Sequence, residues 1–315
     1  MYLKHFHLTR PPFHITPDPE FLYSSPSHRE ALASIIYGIG ERKGFLALVG
    51  EVGVGKTTVL RTFTETADKE KLKIIYLFNA NMTFKSLVKT LCAELDLPSD
   101  MEDYFELVPK LHEALIEQYR LGRNVVLIID EAQNMPIETL ENLRMLSNLE
   151  TTKDKLIQIV LCGQIELDYM LSLQQLRQLK QRIVLRAVIS PLTPGESEEY
   201  IRHRLARAGC TRRIPFTKTA LKEIVRHARG IPRILNILCD NALLTAFGHR
   251  KEKVDKDIVR EVIIDRGEKK GPAFQRWAVA GLLALLLGLL LAASGYWIGS
   301  TKMSGMITLG KYFPF

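Results

Sequence analysis

Hydrophobic and polar positions fall into two successive rhythms along this chain. Between residues 45 and 163, short and almost uninterrupted apolar runs recur: FLALV (45–49), IIYLFN (74–79), VVLIID (125–130) and IQIVLCG (157–163). Helical patterns at 56–67, 83–95, 102–120 and 137–149 separate them, and in the second of these Phe84, Leu87, Val88 and Leu91 form one apolar stripe. Strands this uniformly apolar, alternating with helices, predict an α/β domain with a parallel sheet covered on both faces. Upstream, Ser27 is expected to cap a helix with Glu30 three residues on, ahead of Ala31, Leu32, Ile35, Ile36 and Ile39 at helical spacing. Past Pro191 and Pro194 only helical patterns remain, at 196–208, 217–228, 232–248 and 255–265, which predicts a small all-helical domain. Residues 1–27 are rich in proline and histidine and read as an irregular segment.

A third pattern begins at residue 277. WAVAGLLALLLGLLLAASGYWI (277–298) carries no charge, and at ~1.5 Å per residue it is long enough to cross a bilayer core of ~30 Å as one helix. A buried core helix is the alternative, but Trp277, Tyr296 and Trp297 stand at the ends, as interfacial aromatics do. Arg266, Lys269, Lys270 and Arg276 precede the run, against Lys302 and Lys311 after it. The positive-inside rule therefore puts residues 1–276 in the cytoplasm and predicts a single-pass protein of the inner (cytoplasmic) membrane. The predicted layout is an N-terminal segment (1–27), an α/β core (28–192), a helical lid (193–266), a basic linker (267–276), a transmembrane helix (277–298) and a short external tail (299–315). The opening MYLKHFHLTR has no apolar stretch of signal-peptide type.

Charge sharpens this layout. The chain of 315 residues has a net charge of +8, distributed unevenly. Residues 1–192 hold 22 lysines and arginines against 24 acidic residues, whereas residues 193–266 hold 16 against 10. Arg202, Arg204, Arg207, Arg212, Arg213, Arg226 and Arg229 supply much of the excess, and could face anionic lipid or DNA or simply form a solvated surface. Cys92, Cys162, Cys210 and Cys239 match no zinc or C-x-x-C spacing and read as ordinary core or surface residues in a reducing compartment. His5, His7 and His14 cluster without ligand-like spacing.

The chemistry is concentrated in two motifs. GEVGVGKT (50–57) fits G-x-x-x-x-G-K-[ST], between a strand and a helix as that motif requires. Gly50, Gly53 and Gly55 allow the backbone N–H groups of Glu51, Val52, Val54 and their neighbours through Thr58 to turn toward phosphate oxygens. Lys56 is expected to neutralise the β- and γ-phosphates and Thr57 to ligate Mg²⁺. VVLIIDEAQ (125–133) is the second motif: Asp130 is placed to hold Mg²⁺ and Glu131 to polarise the attacking water. No guanine-reading N-K-x-D motif is visible.

With these motifs in place the chain resembles an AAA+ ATPase, and more narrowly the general secretion pathway protein A family. The resemblance covers about residues 1–300. It rests on PPFHITPDPEFLYSSPSHREAL (11–32), the P-loop, DEAQNM (130–135), LCGQIEL (161–167), LRQLKQRI (176–183) and GIPRILN (230–236). The resemblance implies ATP as substrate, Gln164 as the sensor that orients the water, and Arg182 as an arginine finger donated to a neighbouring subunit, with Arg177 and Arg186 as rivals. It also implies Arg233 as the lid's second sensor, and homo-oligomerisation to bring the finger into place. His28 lies in the first motif and could sit near the adenine or serve as a cap. Secretion-type members usually continue into a peptidoglycan-binding domain, for which residues 299–315 are too few, so cell-wall binding is not carried over.

Three functions follow as expectations. The first is an ATP-driven machine in the inner membrane that energises a secretion, pilus or surface-polymer export apparatus through a membrane protein partner. The second is a DNA-associated helper ATPase, favoured by the basic lid and disfavoured by the apolar run. The third is a nucleotide-gated scaffold with little turnover.

Overall fold

The computed structural model describes residues 1–97, 104–210 and 214–267. The predicted transmembrane run 277–298, the linker beyond Gly267, the tail 299–315, and Arg212 and Arg213 lie outside the described residues. Among the described residues no helix is long and apolar enough to cross a membrane.

In chain order the elements are α1 (Tyr2–His5), α2 (Pro26–Gly40), β1 (Phe45–Gly50), α3 (Lys56–Thr66), β2 (Leu72–Leu77), α4 (Phe84–Glu94), α5 (Tyr104–Arg120) and β3 (Asn124–Ile129). Then follow α6 (Ile137–Leu146), β4 (Ile157–Gly163), α7 (Ile165–Leu171), α8 (Arg177–Arg182) and β5 (Ile183–Ile189). The last elements among the described residues are α9 (Pro194–Arg207), α10 (Lys218–Ala228), α11 (Pro232–Gly248) and α12 (Lys256–Asp265). Met1–Val262 form one compact unit, and a second unit starts at Ile263, of which residues 263–267 are described.

Among the described residues five strands make one sheet in the order β2-β3-β4-β1-β5, every pairing parallel. Side chains along each strand alternate between two cores. Phe45, Ile75, Val125, Leu127 and Leu161 face a core that includes residues of α4, α5 and α6. Leu46, Leu48, Val126, Ile128 and Cys162 face one that includes Ala31, Ile35 and Ile39 of α2 and Val59 and Phe63 of α3. With both sides of the sheet buried there is no polar alternation to read, which is why the central strands appear as continuous apolar runs.

Four local expectations need correction. The sheet has a fifth strand, β5, which the sequence reading passed over. It lies at an edge, and Val184, Arg186 and Val188 are exposed along it while Ala187 and Ile189 are buried. Half its side chains meet solvent and it follows α8 without a turn, so its run lacks the signature of the central strands. β2 ends at Leu77, paired with Ile129, two residues earlier than expected, and Phe78 beyond it is 71% exposed. The cap of α2 is Ser25 and not Ser27: Pro26 occupies the first helical position, and the Ser25 hydroxyl accepts from the His28 backbone N–H. Residues 1–27, expected to be irregular, hold the short helix α1 as well. Phe6, Leu8, Phe13 and Phe21 are buried, and a 3₁₀ turn spans Pro19–Phe21.

This N-terminal segment is fastened to the helices that follow the sheet. Tyr2 donates to Asp240 at 2.7 Å, and the Thr9 backbone N–H donates to the Ala208 carbonyl at 2.9 Å. Arg204 is buried beneath the segment, donating to the Pro12 carbonyl at 2.5 Å and to Tyr200 at 3.1 Å, with its guanidinium 4.7 Å from the Phe21 ring centre. No carboxylate pairs with this charge among the described residues. Carbonyl oxygens, aromatic faces and the C-terminal end of α9 compensate it instead. Its length and its proline content hid this segment's role, since its order comes from long-range contacts and not from local periodicity.

The corrected cap makes a direct prediction. Ser25→Ala should lower unfolding stability by about 1 kcal/mol while Ser27→Ala leaves it nearly unchanged, as measured by denaturant titration.

Candidate active site

The carboxyl ends of the parallel strands form the edge on which the P-loop rests. Gly50 ends β1, and a Cβ there would lie 2.6 Å from the Ile189 carbonyl oxygen of β5. Gly53 (φ +81°) and Gly55 (φ +111°) adopt left-handed backbone that side chains rarely take. A Cβ on Gly53 would come within 2.7 Å of Arg233 Cβ, and one on Gly55 within 2.8 Å of His28 Nε2. The glycines therefore serve the turn of the loop and also the close approach of α2 and α11.

Lys56 opens α3 and is 5% exposed, its Nζ donating to the Gly50 and Glu51 carbonyls at 2.9 Å each. Thr57 donates through Oγ1 to Asp130 Oδ2 at 3.0 Å. Asp130 follows β3 directly, its Oδ1 accepting from the Glu131 backbone N–H at 2.9 Å. Thr57 and Asp130 thus come together across the sheet, as an oxygen-only pair suited to a hard divalent cation such as Mg²⁺.

Glu131 has φ +52°, in the left-handed region that only a few per cent of non-glycine residues occupy. Its Oε2 accepts from Gln164 Nε2 at 2.9 Å and from Gln133 Nε2 at 2.5 Å. Gln164 stands at the residue before α7, immediately after β4, so its approach to Glu131 follows from the strand order.

Arg233 enters at the first turn of α11, its backbone N–H donating to the Gly53 carbonyl at 3.2 Å. Together with residues 52–58, Glu131, His28 and the N-terminal segment from Ile15 to Tyr23, it lines a cleft of about 410 Å³. Tyr200, Arg204 and Asn236 line it as well. Gly230 (φ +77°) sets the entry to α11, and a Cβ there would lie 2.1 Å from the Leu192 carbonyl oxygen.

The three arginines considered for the finger differ in their surroundings. Arg182 is tied to its own chain at the end of α6, where it donates to Asn148 Oδ1 at 2.8 Å, to the Arg144 carbonyl and to Ser147. Arg186 forms a two-point ion pair with Asp168 of α7, its Nε 3.0 Å from Oδ1. The Arg177 guanidinium is exposed and has no hydrogen bond or ion pair among the described residues.

Tyr76 and Gln133 escaped the sequence reading, whereas His28 was singled out there. Tyr76 of β2 donates to Asp130 Oδ2 at 2.8 Å, and burial followed by the charge of Asp130 keeps its phenol protonated well above the ordinary tyrosine range. A tyrosine within an apolar strand gives no signal of this in one sequence. Gln133 could have been noticed, since it stands two residues past Glu131 in a motif already singled out. His28 lies against the P-loop: its Nε2 is 3.0 Å from the Val54 carbonyl and its Nδ1 2.6 Å from Ser25 Oγ. A carbonyl can only accept, so Nε2 carries the proton and the Ser25 hydroxyl donates to Nδ1.

Burial pushes the His28 imidazole below its ordinary value, outweighing the hydrogen bond to Val54 and the charge of Glu196. A histidine depressed in the fold stays neutral there while the unfolded chain takes up a proton below about pH 6.5, so stability is lost as pH falls through that value toward the folded-state one. Unfolding titrations at pH 7.5 and 5.5 should therefore show a larger loss for the wild type than for His28→Gln, other groups being common to both.

Comparison with known proteins agrees with this geometry. The AAA domain family matches residues 39–171. General secretion pathway protein A of Aeromonas hydrophila is 40% identical over 298 residues, covering 94% of this chain and 54% of that protein. The chain therefore spans about half the length of that relative. Among solved structures, the Aeropyrum pernix ORC2 protein superposes with a TM-score of 0.59 at 17% identity, covering 81% of this chain and 71% of that one. Cdc6p of Pyrobaculum aerophilum superposes at 0.60 with 19% identity, covering 79% and 70%. The likenesses to solved structures show the fold, residues 39–171 match the AAA domain family, and nearly the whole chain is similar to about half of general secretion pathway protein A.

Proposed function

We propose that this chain binds ATP in the cleft beside the P-loop and hydrolyses it with Mg²⁺. The observation that carries the reading is the meeting of Lys56, Thr57, Asp130 and Glu131 at one edge of the sheet, with Arg233 facing the same loop. Mg²⁺, when bound, supplies charge neutralisation on the transferring phosphoryl group. Thr57 and Asp130 would hold it, and Lys56 would exchange its two loop carbonyls for phosphate oxygens. Glu131, with Oε2 occupied by two amides, would present its other oxygen to the attacking water. Positioning and charge carry such a reaction, with little covalent chemistry left to the protein. Arg233 would report the γ-phosphate to the helices of the lid.

Full activity would require a second copy. A finger donated in trans must be free to leave its own subunit, which favours Arg177 over Arg182 and Arg186. The apolar run 277–298 would anchor the assembly in the inner membrane, with the ATPase on the cytoplasmic side. By its likeness to general secretion pathway protein A, the turnover would energise assembly of a secretion or surface-export apparatus through a membrane partner.

Steady-state hydrolysis by the full chain in lipid nanodiscs should be Mg²⁺-dependent and rise more than linearly with protein concentration. Lys56→Ala should abolish it. Arg177→Ala should lower it by about 10³-fold or more without weakening ATP binding, as expected of a lost finger. Arg182→Ala should instead lower the melting temperature. Turnover strictly proportional to concentration and indifferent to Arg177 would argue against a finger in trans.

A second reading, a DNA-associated ATPase, is favoured by the exposed Arg202, Arg207, Arg226 and Arg229 on α9 and α10 and just beyond them. Gel retardation at about 150 mM salt separates the two, since charge-driven binding to DNA falls steeply with salt.

A further inference from the structure

Gln133 stands in the 3₁₀ turn Ala132–Asn134, which begins immediately after Glu131 and turns the chain back toward the end of β4. The side-chain amide of Gln133 is used at both ends. Its Oε1 accepts from the Gln164 backbone N–H at 3.1 Å, and its Nε2 donates to Glu131 Oε2 at 2.5 Å. The first bond fixes which way the amide points, since a backbone N–H can meet only the oxygen. The NH₂ group is then committed to the carboxylate. Gln164 contributes twice: through its backbone to Gln133, and through its side chain to the same Glu131 oxygen. The result is a closed ring of hydrogen bonds through residues 131, 133 and 164.

Two further features point to the same arrangement. Gly163 leaves the space that Gln133 fills, since a Cβ there would lie 2.8 Å from Gln133 Oε1 and 2.7 Å from a Leu167 methyl carbon. Glu131 takes up its left-handed backbone at the start of this turn, and such strain persists where the surroundings over-determine it.

We propose that Gln133 is a positioning residue for hydrolysis: it locks one oxygen of Glu131 so that the other is aimed at the attacking water, and it holds Gln164 in the same frame. The inference rests on the reading of Glu131 as the water-polarising group. A carboxylate held by one amide can rotate about its last side-chain bond, whereas one held by two from different elements cannot. The ring spans β3 and β4, so the direction of Glu131 is set by the sheet itself.

The test uses the full chain in nanodiscs. Gln133→Met keeps the length and packing of the side chain while removing both hydrogen bonds. It should lower kcat by about 10- to 100-fold, the scale of a misdirected reacting group, and leave the equilibrium affinity for Mg²⁺–ATP within about twofold of the wild type. Gln133→Glu, which sets a second carboxylate against Glu131, should be at least as slow. Combining Gln133→Met with Gln164→Ala should cost less than the two single effects multiplied, because both act through one carboxylate. Unchanged or raised kcat in Gln133→Met would overturn the inference, as would equal losses in kcat and in nucleotide affinity. Glu131→Gln is the control. If it turns over ATP like the wild type, the reading of Glu131 has failed; if it is slow while Gln133→Met is fast, only the role of Gln133 has failed.

Discussion

A hydrogen bond of 3.0 Å between Thr57 and Asp130 joins the two halves of this molecule's chemistry. Thr57 belongs to the first turn of the helix after β1, and Asp130 to the residue after β3. These strands are not neighbours; β4 runs between them. The contact therefore exists only when all three strands are paired in the observed parallel register, with Val49 beside Gly163 and Ile129 beside Leu161. The two apolar cores on either face of the sheet are what hold that register, since a slip of one residue would exchange Leu46 for Ala47 and send Val126 to the face of Leu127.

Around that contact the site is built in tiers of increasing sequence distance. The glycines make the loop, and their missing side chains also admit His28 from α2 and Arg233 from α11. Tyr76 reaches Asp130 from β2, and Gln164 reaches Glu131 from the end of β4. The N-terminal segment closes the cleft by lying on α9, where Arg204 is buried under the Phe21 ring. The Arg233 backbone N–H, donating to the Gly53 carbonyl, joins α11 directly to the phosphate loop.

How much of this the sequence displayed depends on the range of the interaction. The P-loop and the 130–131 acids were legible because their geometry is local: a strand, a fixed spacing and a helix start. The three central strands β3, β4 and β1 were legible because burial on both sides leaves them almost wholly apolar, and β2 because its run is apolar although it lies at the other edge. β5 was not, because an edge strand with Arg186 at its centre follows no such rule. Ser27 mimics the cap that Ser25 provides, since both precede an apolar helical pattern and only Pro26 at the first helical position decides between them. The order of residues 1–27, the hold of Tyr76 on Asp130 and the tethering of Arg182 to α6 all join positions separated by tens to hundreds of residues. A single sequence carries no trace of such pairings.

The account stands or falls on whether Thr57 and Asp130 hold a divalent cation against bound nucleotide. The direct measurement is the equilibrium affinity for a non-hydrolysable ATP analogue, with and without Mg²⁺, in the wild type and in Asp130→Asn. Wild-type affinity should rise when Mg²⁺ is added, and that increment should vanish in Asp130→Asn while Mg²⁺-free binding is kept. An increment of equal size in both proteins would contradict the assignment of the Thr57–Asp130 pair and the mechanism built on it.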